Sequence, residues 1–138
     1  MDQTFYGAKL GLMSPSAASK KIRDFVISAL DLADNVEVHA AFSSRHSGFG
    51  YTSCGDVVVF QDGDSACAGH VYFHAECNGE PITLIKRLEV ESHDRQRGTA
   101  ELRAINAFEI IDTSSIVDAV MWHERDEGVL RAIVPRDL

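Results

Sequence analysis

The chain has 138 residues, a length that suits one domain able to bury a core without help from disulfides or metal. Hydrophobic residues make up 45% and charged residues 25%, which argues against a disordered or fibrous protein. The formal net charge of −8 argues against broad binding to nucleic acid or anionic lipid, and Asp and Glu are scattered among Arg and Lys rather than gathered into the dense runs that nucleic-acid mimicry needs.

In chain order, Ser14-Pro15 reads as a helix start, because a hydroxyl can cap free amides and proline in the first turn loses no needed donor. Ala18, Ile22, Phe25, Val26, Ala29 and Ala33 then recur at helical spacing, predicting a helix over 15–34. A short strand is expected over 4–12, weakened by Gly7 and Gly11, and another over 36–42. The stretch 43–55, rich in Ser and Gly, reads as a long loop lying over a ligand site. Val57 to Phe60 form an apolar β run, Asp62-Gly63 a turn, and a second run extends over 66–77. Asn78-Gly79 is the strongest hairpin signal in the chain, and it leads into a third strand over 82–91. These three strands must be antiparallel neighbours.

Beyond Gly98 the pattern changes. Leu102, Ile105 and Phe108, with Ala104 and Ala107, fit one face of a helix over 99–111. A buried strand is expected over 116–122, parallel to the third strand through a right-handed crossover. The segment 126–134 reads as a short final helix or, alternatively, a hairpin return strand. The expected fold class is therefore α/β (α+β): a mixed sheet of antiparallel strands followed by a strand-helix-strand parallel crossover, within one domain.

The strand-to-helix passage carries the chemistry. A helix start offers unpaired amides and the positive end of its dipole, Gly98 lets a backbone approach an anion, and Arg95 and Arg97 add positive charge. This set of features predicts a pyrophosphate cradle.

The segment resembles the acetyl-CoA-binding motif of the GCN5-related N-acetyltransferases, or GNAT superfamily: Arg or Gln, two residues, Gly, one residue, then Gly or Ala. Arg95, Gly98 and Ala100 fit that motif, Val90 matches the apolar end of the family's central strand, and Leu102 matches an apolar position in the helix that follows. The resemblance implies a GNAT-like mixed sheet in which Arg95, Gln96, Arg97, Gly98, Thr99 and Ala100 hold the pyrophosphate of acetyl-CoA. Main-chain groups of Leu88, Glu89 and Val90 would pair with its pantetheine arm. It implies acetyl transfer to an amine acceptor, a protein or a small molecule, with Glu89, Glu91 and His74 as candidate bases. Ser92 stands where the family often has proline. Asp126 and Ile133 fall near the family's Asn and general-acid Tyr, so the chain reads as a short or C-terminally truncated member. A sheet edge left open by missing strands would make a homodimer plausible. The alternative is a noncatalytic binding or inhibitor protein on the same scaffold, acting on a protein partner.

Cys67, His70, His74 and Cys77 have metal-ligating side chains, but on a strand the two histidines would share a face about 13 Å apart, with the cysteines on the other face. No metal is expected. Three cysteines without a secretory signal read as reduced thiols in a cytoplasmic protein, and no run approaches the ~20 apolar residues needed to span a membrane. Trp122, at the end of a buried strand, reads as packing.

Overall fold

Asn78 and Gly79 both adopt left-handed backbone, with φ of 53° and 78°, as a two-residue hairpin with right-handed strand twist requires. That turn joins β7 (Ser65–Cys77) to β8 (Glu80–Asp94), and β7 also pairs with β6 (Val57–Asp62). The computed structural model, which describes residues 11–46, 50–136 and 138, thus has the expected antiparallel trio at its centre. The expected strand over 4–12 lies largely outside the described residues. Before the trio come β1 (Gly11–Met13), β2 (Ser16–Ala17), helix α1 (Lys20–Leu30), β3 (Val38–Ala41), β4 (Ser43–His46) and β5 (Gly50–Ser53). After it come β9 (Thr99–Asp112), a 3-10 turn (Thr113–Ser115), β10 (Ile116–Val120), β11 (Trp122–Asp126) and β12 (Val129–Ile133).

The expected GNAT-like α/β (α+β) sheet with a parallel crossover is not what forms. Every strand pairing among the described residues is antiparallel. The segment predicted to be the crossover helix is strand β9. Ala100, Leu102 and Ala104 point inward, while Glu101 and Arg103 between them point out to ion-pair partners, which is strand alternation. The pairing of β8 with β9 then slips: Leu88 faces Ala104 but Lys86 faces Phe108, so β9 carries two extra residues there. That irregularity turns a period of two into spacings of three and four, and so imitates a helix.

Two further expectations change. The helix begins at Lys20 rather than residue 15, because Ser16 and Ala17 pair with β3 and the Ser19 hydroxyl accepts the Ile22 amide as the cap. It stops at Asp31, which turns left-handed (φ 54°). The stretch expected as a loop holds β4 and β5, which with β1 make a small three-stranded sheet. The segment 126–134 takes its strand alternative as β12, which pairs with β9 and β11.

The main sheet runs β10-β6-β7-β8-β9-β12-β11. Its two outer strands are consecutive in the chain, joined by Met121 alone, and the Met121 carbonyl accepts the Ile133 amide. The ends of the sheet therefore meet, and the sheet closes on itself as a barrel. Inside lie Val57, Ala68, Leu88, Leu102 and Leu130 with Ala100, Ala132 and Val134, and Val120 packs against them, so every strand of the closing order except β11 contributes. The parallel strands expected in that sheet do not form among the described residues. Further along the same face, Val26 of α1 packs on Val38, Ala75, Cys77 and Ile82. No helix among the described residues is long and apolar enough to cross a membrane.

Candidate functional site

The residues predicted to hold a pyrophosphate occupy a hairpin turn. Arg95, Gln96, Arg97 and Gly98 connect β8 to β9, and Thr99 and Ala100 open β9. Two of their amides bond back to the chain: Gly98 N–H donates to the Asp94 carbonyl at 2.9 Å and Arg97 N–H to its carboxylate at 3.1 Å. Gly98 is used for its left-handed φ of 69°, which the turn needs. The adjoining cleft of about 240 Å³ places Asp94 and Glu101 beside Arg97 and Arg131, so carboxylates already answer its cations. The Arg131 and Arg125 guanidiniums hold the Glu101 carboxyl below the usual range. Without a helix after Gly98, there is no helix terminus to attract an anion. Leu88 is paired on both sides, to Ala68 and to Ala104, and Glu89 and Val90 pair with Arg103 and Leu102.

Nor does the structure gather the three candidate bases. Glu91 forms a two-bonded ion pair with Arg103, at 2.7 and 3.2 Å, and Glu89 is exposed. His74 is fully buried beside Thr83, about 20 Å along β8 from Glu89. His74 Nε2 bonds Thr52 at 3.1 Å, and Thr52 bonds His46 at 2.7 Å. On its other side Nδ1 bonds Thr83 at 2.8 Å, and Thr83 bonds Thr113 at the same distance. Burial, and the His46 ring facing it, lower the His74 pKa to about 4.

A different surface stands out as a cleft. The register of β7 against β8 slips between Val71 and Phe73, a bulge that places Tyr72 and Phe73 in one groove although they are adjacent in sequence. It also breaks the expected shared face of His70 and His74: His70 joins the aromatic row, while His74 enters the buried chain on the other side. Trp122 and His70 meet edge to face at 5.3 Å, His70 and Tyr72 at 6.3 Å, and Tyr72 and Phe108 at 4.8 Å. Lys86 Nζ lies 5.4 Å from the Phe108 ring centre. His70 is fixed by donating Nε2–H to the Gly55 carbonyl at 2.8 Å.

Trp122, Tyr72 and Phe108 remain 37%, 46% and 45% exposed, unlike the sealed Leu88 and Leu102 on the same face. Phe108 stands where β9 carries its extra residues, so irregularities in two strands converge at this point. The row opens into a groove of about 420 Å³ between α1 and the sheet, lined by Lys21, Ile22 and Phe25 and by Tyr72, Phe73, Leu84 and Phe108. Trp122, at the far end of the row from the groove, packs edge to face on His70. Tyr72 and Phe108 were not distinguishable from the residues around them, since only strand irregularities bring them together; the adjacent pair Tyr72-Phe73 was the one local signal.

No known family matches the chain, and no curated protein or solved structure matches it.

Proposed function

We propose that the chain is a noncatalytic binding protein for a small apolar anion, held in the groove between α1 and the Tyr72-Phe108 end of the aromatic row. The observation that carries this reading is the half-exposed aromatic row at the two strand irregularities. Large aromatic rings left partly wet on a concave surface gain the most when a ligand completes their burial. The groove volume lies within the range of small-molecule sites, and its lining is mainly apolar with few polar groups, as such sites are. In a chain of net charge −8, the one charged residue among the described lining residues is Lys21, and Lys86 stands beside Phe108. That local sign selects an anionic group at one end of an apolar body. The described lining contains no Ser, Cys, His or carboxylate, so the reading is one of retention without turnover.

The acetyl-transfer reading relied on a helix after Gly98, and that footing is gone. Anilinonaphthalene sulfonate, an apolar aromatic anion, is the suitable probe, and Trp122, the one tryptophan in the chain, is the internal reporter. Binding should change Trp122 emission and raise probe fluorescence. Octanoate should displace the probe, and acetyl-CoA should do so no better than a simple nucleotide. Tyr72→Ala and Phe108→Ala should each weaken binding about tenfold, the factor for a loss of ~1.4 kcal/mol. Unchanged affinity in both variants, with far-ultraviolet circular dichroism intact, would remove the groove from consideration.

A further inference from the structure

The chain His46-Thr52-His74-Thr83-Thr113 is a continuous buried polar feature that lies outside the proposed groove. Its five side chains are nearly or wholly buried, and they come from both sheets: His46 and Thr52 from β4 and β5, His74 and Thr83 from β7 and β8, and Thr113 from the 3-10 turn. It is continuous, with four bonds of 2.7 to 3.1 Å. The three-stranded sheet is thus held to the barrel partly through polar groups. Ser44, buried cross-strand from Thr52, shows no hydrogen-bond partner for its hydroxyl among the described residues, so this layer is not tightened by every group in it.

We propose that this chain is an acid-operated latch: protonation of the His46 and His74 pair loosens the β1-β4-β5 sheet from the barrel while the barrel itself stays folded. Hydrogen-bond bookkeeping supports it. Neutral His74 has one donor nitrogen and one acceptor nitrogen, so Thr52 and Thr83 can each complete a donor-to-acceptor bond. A protonated His74 donates from both nitrogens, which Thr52 and Thr83 can accept only by turning their own protons toward His46 and Thr113. A second proton, on His46, makes Thr52 face two donors and leaves its own hydrogen without that acceptor. The ring centres are 6.2 Å apart in an interior where like charges repel strongly. Among the described residues, His74 meets the Thr52 and Thr83 hydroxyls and the His46 ring, none of them a carboxylate that would offset the added charge. Burial lowers the pKa of both imidazoles, which agrees in sign with resistance to protonation in the closed state. Opening the small sheet gives both rings water, and so acid favours opening.

Hydrogen exchange read by mass spectrometry, corrected for the intrinsic effect of pH on exchange, tests the latch in the full chain. Protection of β4 and β5 amides should fall by up to about tenfold for each pH unit below 6.5, down to about 4, while β8 and β9 amides keep theirs. His74→Gln should flatten that dependence, and His46→Gln, which leaves the deeper ring in place, should reduce it. Should His74→Gln fail to fold, the His46→Gln profile alone decides. Protection in β4 and β5 that ignores pH in the natural chain, a pH response unchanged by the folded variants, or loss of protection in every strand together would each overturn the latch.

Discussion

The interior face of the barrel has two ends built from different materials. At one end Val57, Ala68, Leu88, Leu102 and Leu130 pack small and branched side chains into a sealed core. At the other, the same face presents Tyr72, Phe108 and Trp122, each more than a third exposed. Regular alternation gives the first, because strict alternation sends every second residue inward and closure of the sheet covers them. Strand irregularities give the second, since extra residues in β7 and β9 re-aim large rings toward a place that closure does not cover. Stability is thus concentrated at the sealed end, while the proposed binding uses the open one, along a single sheet.

The sharpest way to break that comparison is to cut into the sealed end. Leu102 is fully buried among residues from several strands, and Leu102→Ala should cost about 2–5 kcal/mol, visible as a large fall in the urea midpoint. Binding of the anilinonaphthalene probe at a temperature where the variant stays folded should change little. An equal loss of affinity would mean that the two ends act as one unit.

Acid tests the opposite face. Above pH 6.5 His74 is neutral whether the chain is folded or not, and it adds no pH dependence. As pH falls from 6.5 toward about 4, the unfolded chain takes up a proton that the folded chain resists, so stability falls. Below about 4 both states carry the proton and this contribution levels off. The full span amounts to about 3 kcal/mol, and denaturant titrations at several pH values should show it in the natural chain but not in His74→Gln. A flat profile through this window would show that the folded chain accommodates the charged ring.

Gly69 offers a smaller cut, on the outer side of β7. A Cβ there would lie 2.6 Å from the Ile85 Cδ1, 3.2 Å from its Cβ and 3.3 Å from a Phe60 ring carbon. The tip of Ile85 can turn, but its Cβ is fixed to the backbone, so Gly69→Ala should destabilise by about 1–3 kcal/mol through crowding. Neutral stability would show slack between β6 and β8.

How far the sequence reaches follows the same division. The β6-β7-β8 trio was legible because its signals are local: an apolar run, Asp62-Gly63, and Asn78-Gly79. Strand β9 was not, because the extra residues between Ala104 and Phe108 disguise its period, and Gly98 serves a hairpin as readily as a helix start. β4 and β5 were hidden for a chemical reason. Ser44, His46 and Thr52 are buried there, and polar residues give no apolar alternation to read. Closure through Met121 depends on partners more than fifty residues away, as in Val120 with Val57, which no local pattern encodes. The predicted site lost its physical basis with β9, since that basis was a helix terminus; the aromatic groove depends on irregularities that only register reveals.

The mildest prediction concerns the open end itself. Tyr72 and Phe108 meet at 4.8 Å with their ring planes at 88°, the edge-to-face geometry in which the positive rim of one ring meets the negative face of the other. Each ring is nearly half exposed, so either alanine substitution forfeits only part of a side chain's burial and should cost about 1 kcal/mol, well below Leu102→Ala. If the pair interacts directly, the double variant should be less damaging than the sum of the two, by about 0.5–1.5 kcal/mol in a double-mutant cycle. Additive costs would place each ring's stabilisation in its own contact with the sheet, and Tyr72 would then be held by the β7 bulge rather than by Phe108. Repeating the cycle with probe affinity separates the two roles: strong coupling in binding with weak coupling in folding is what a row completed by its ligand requires.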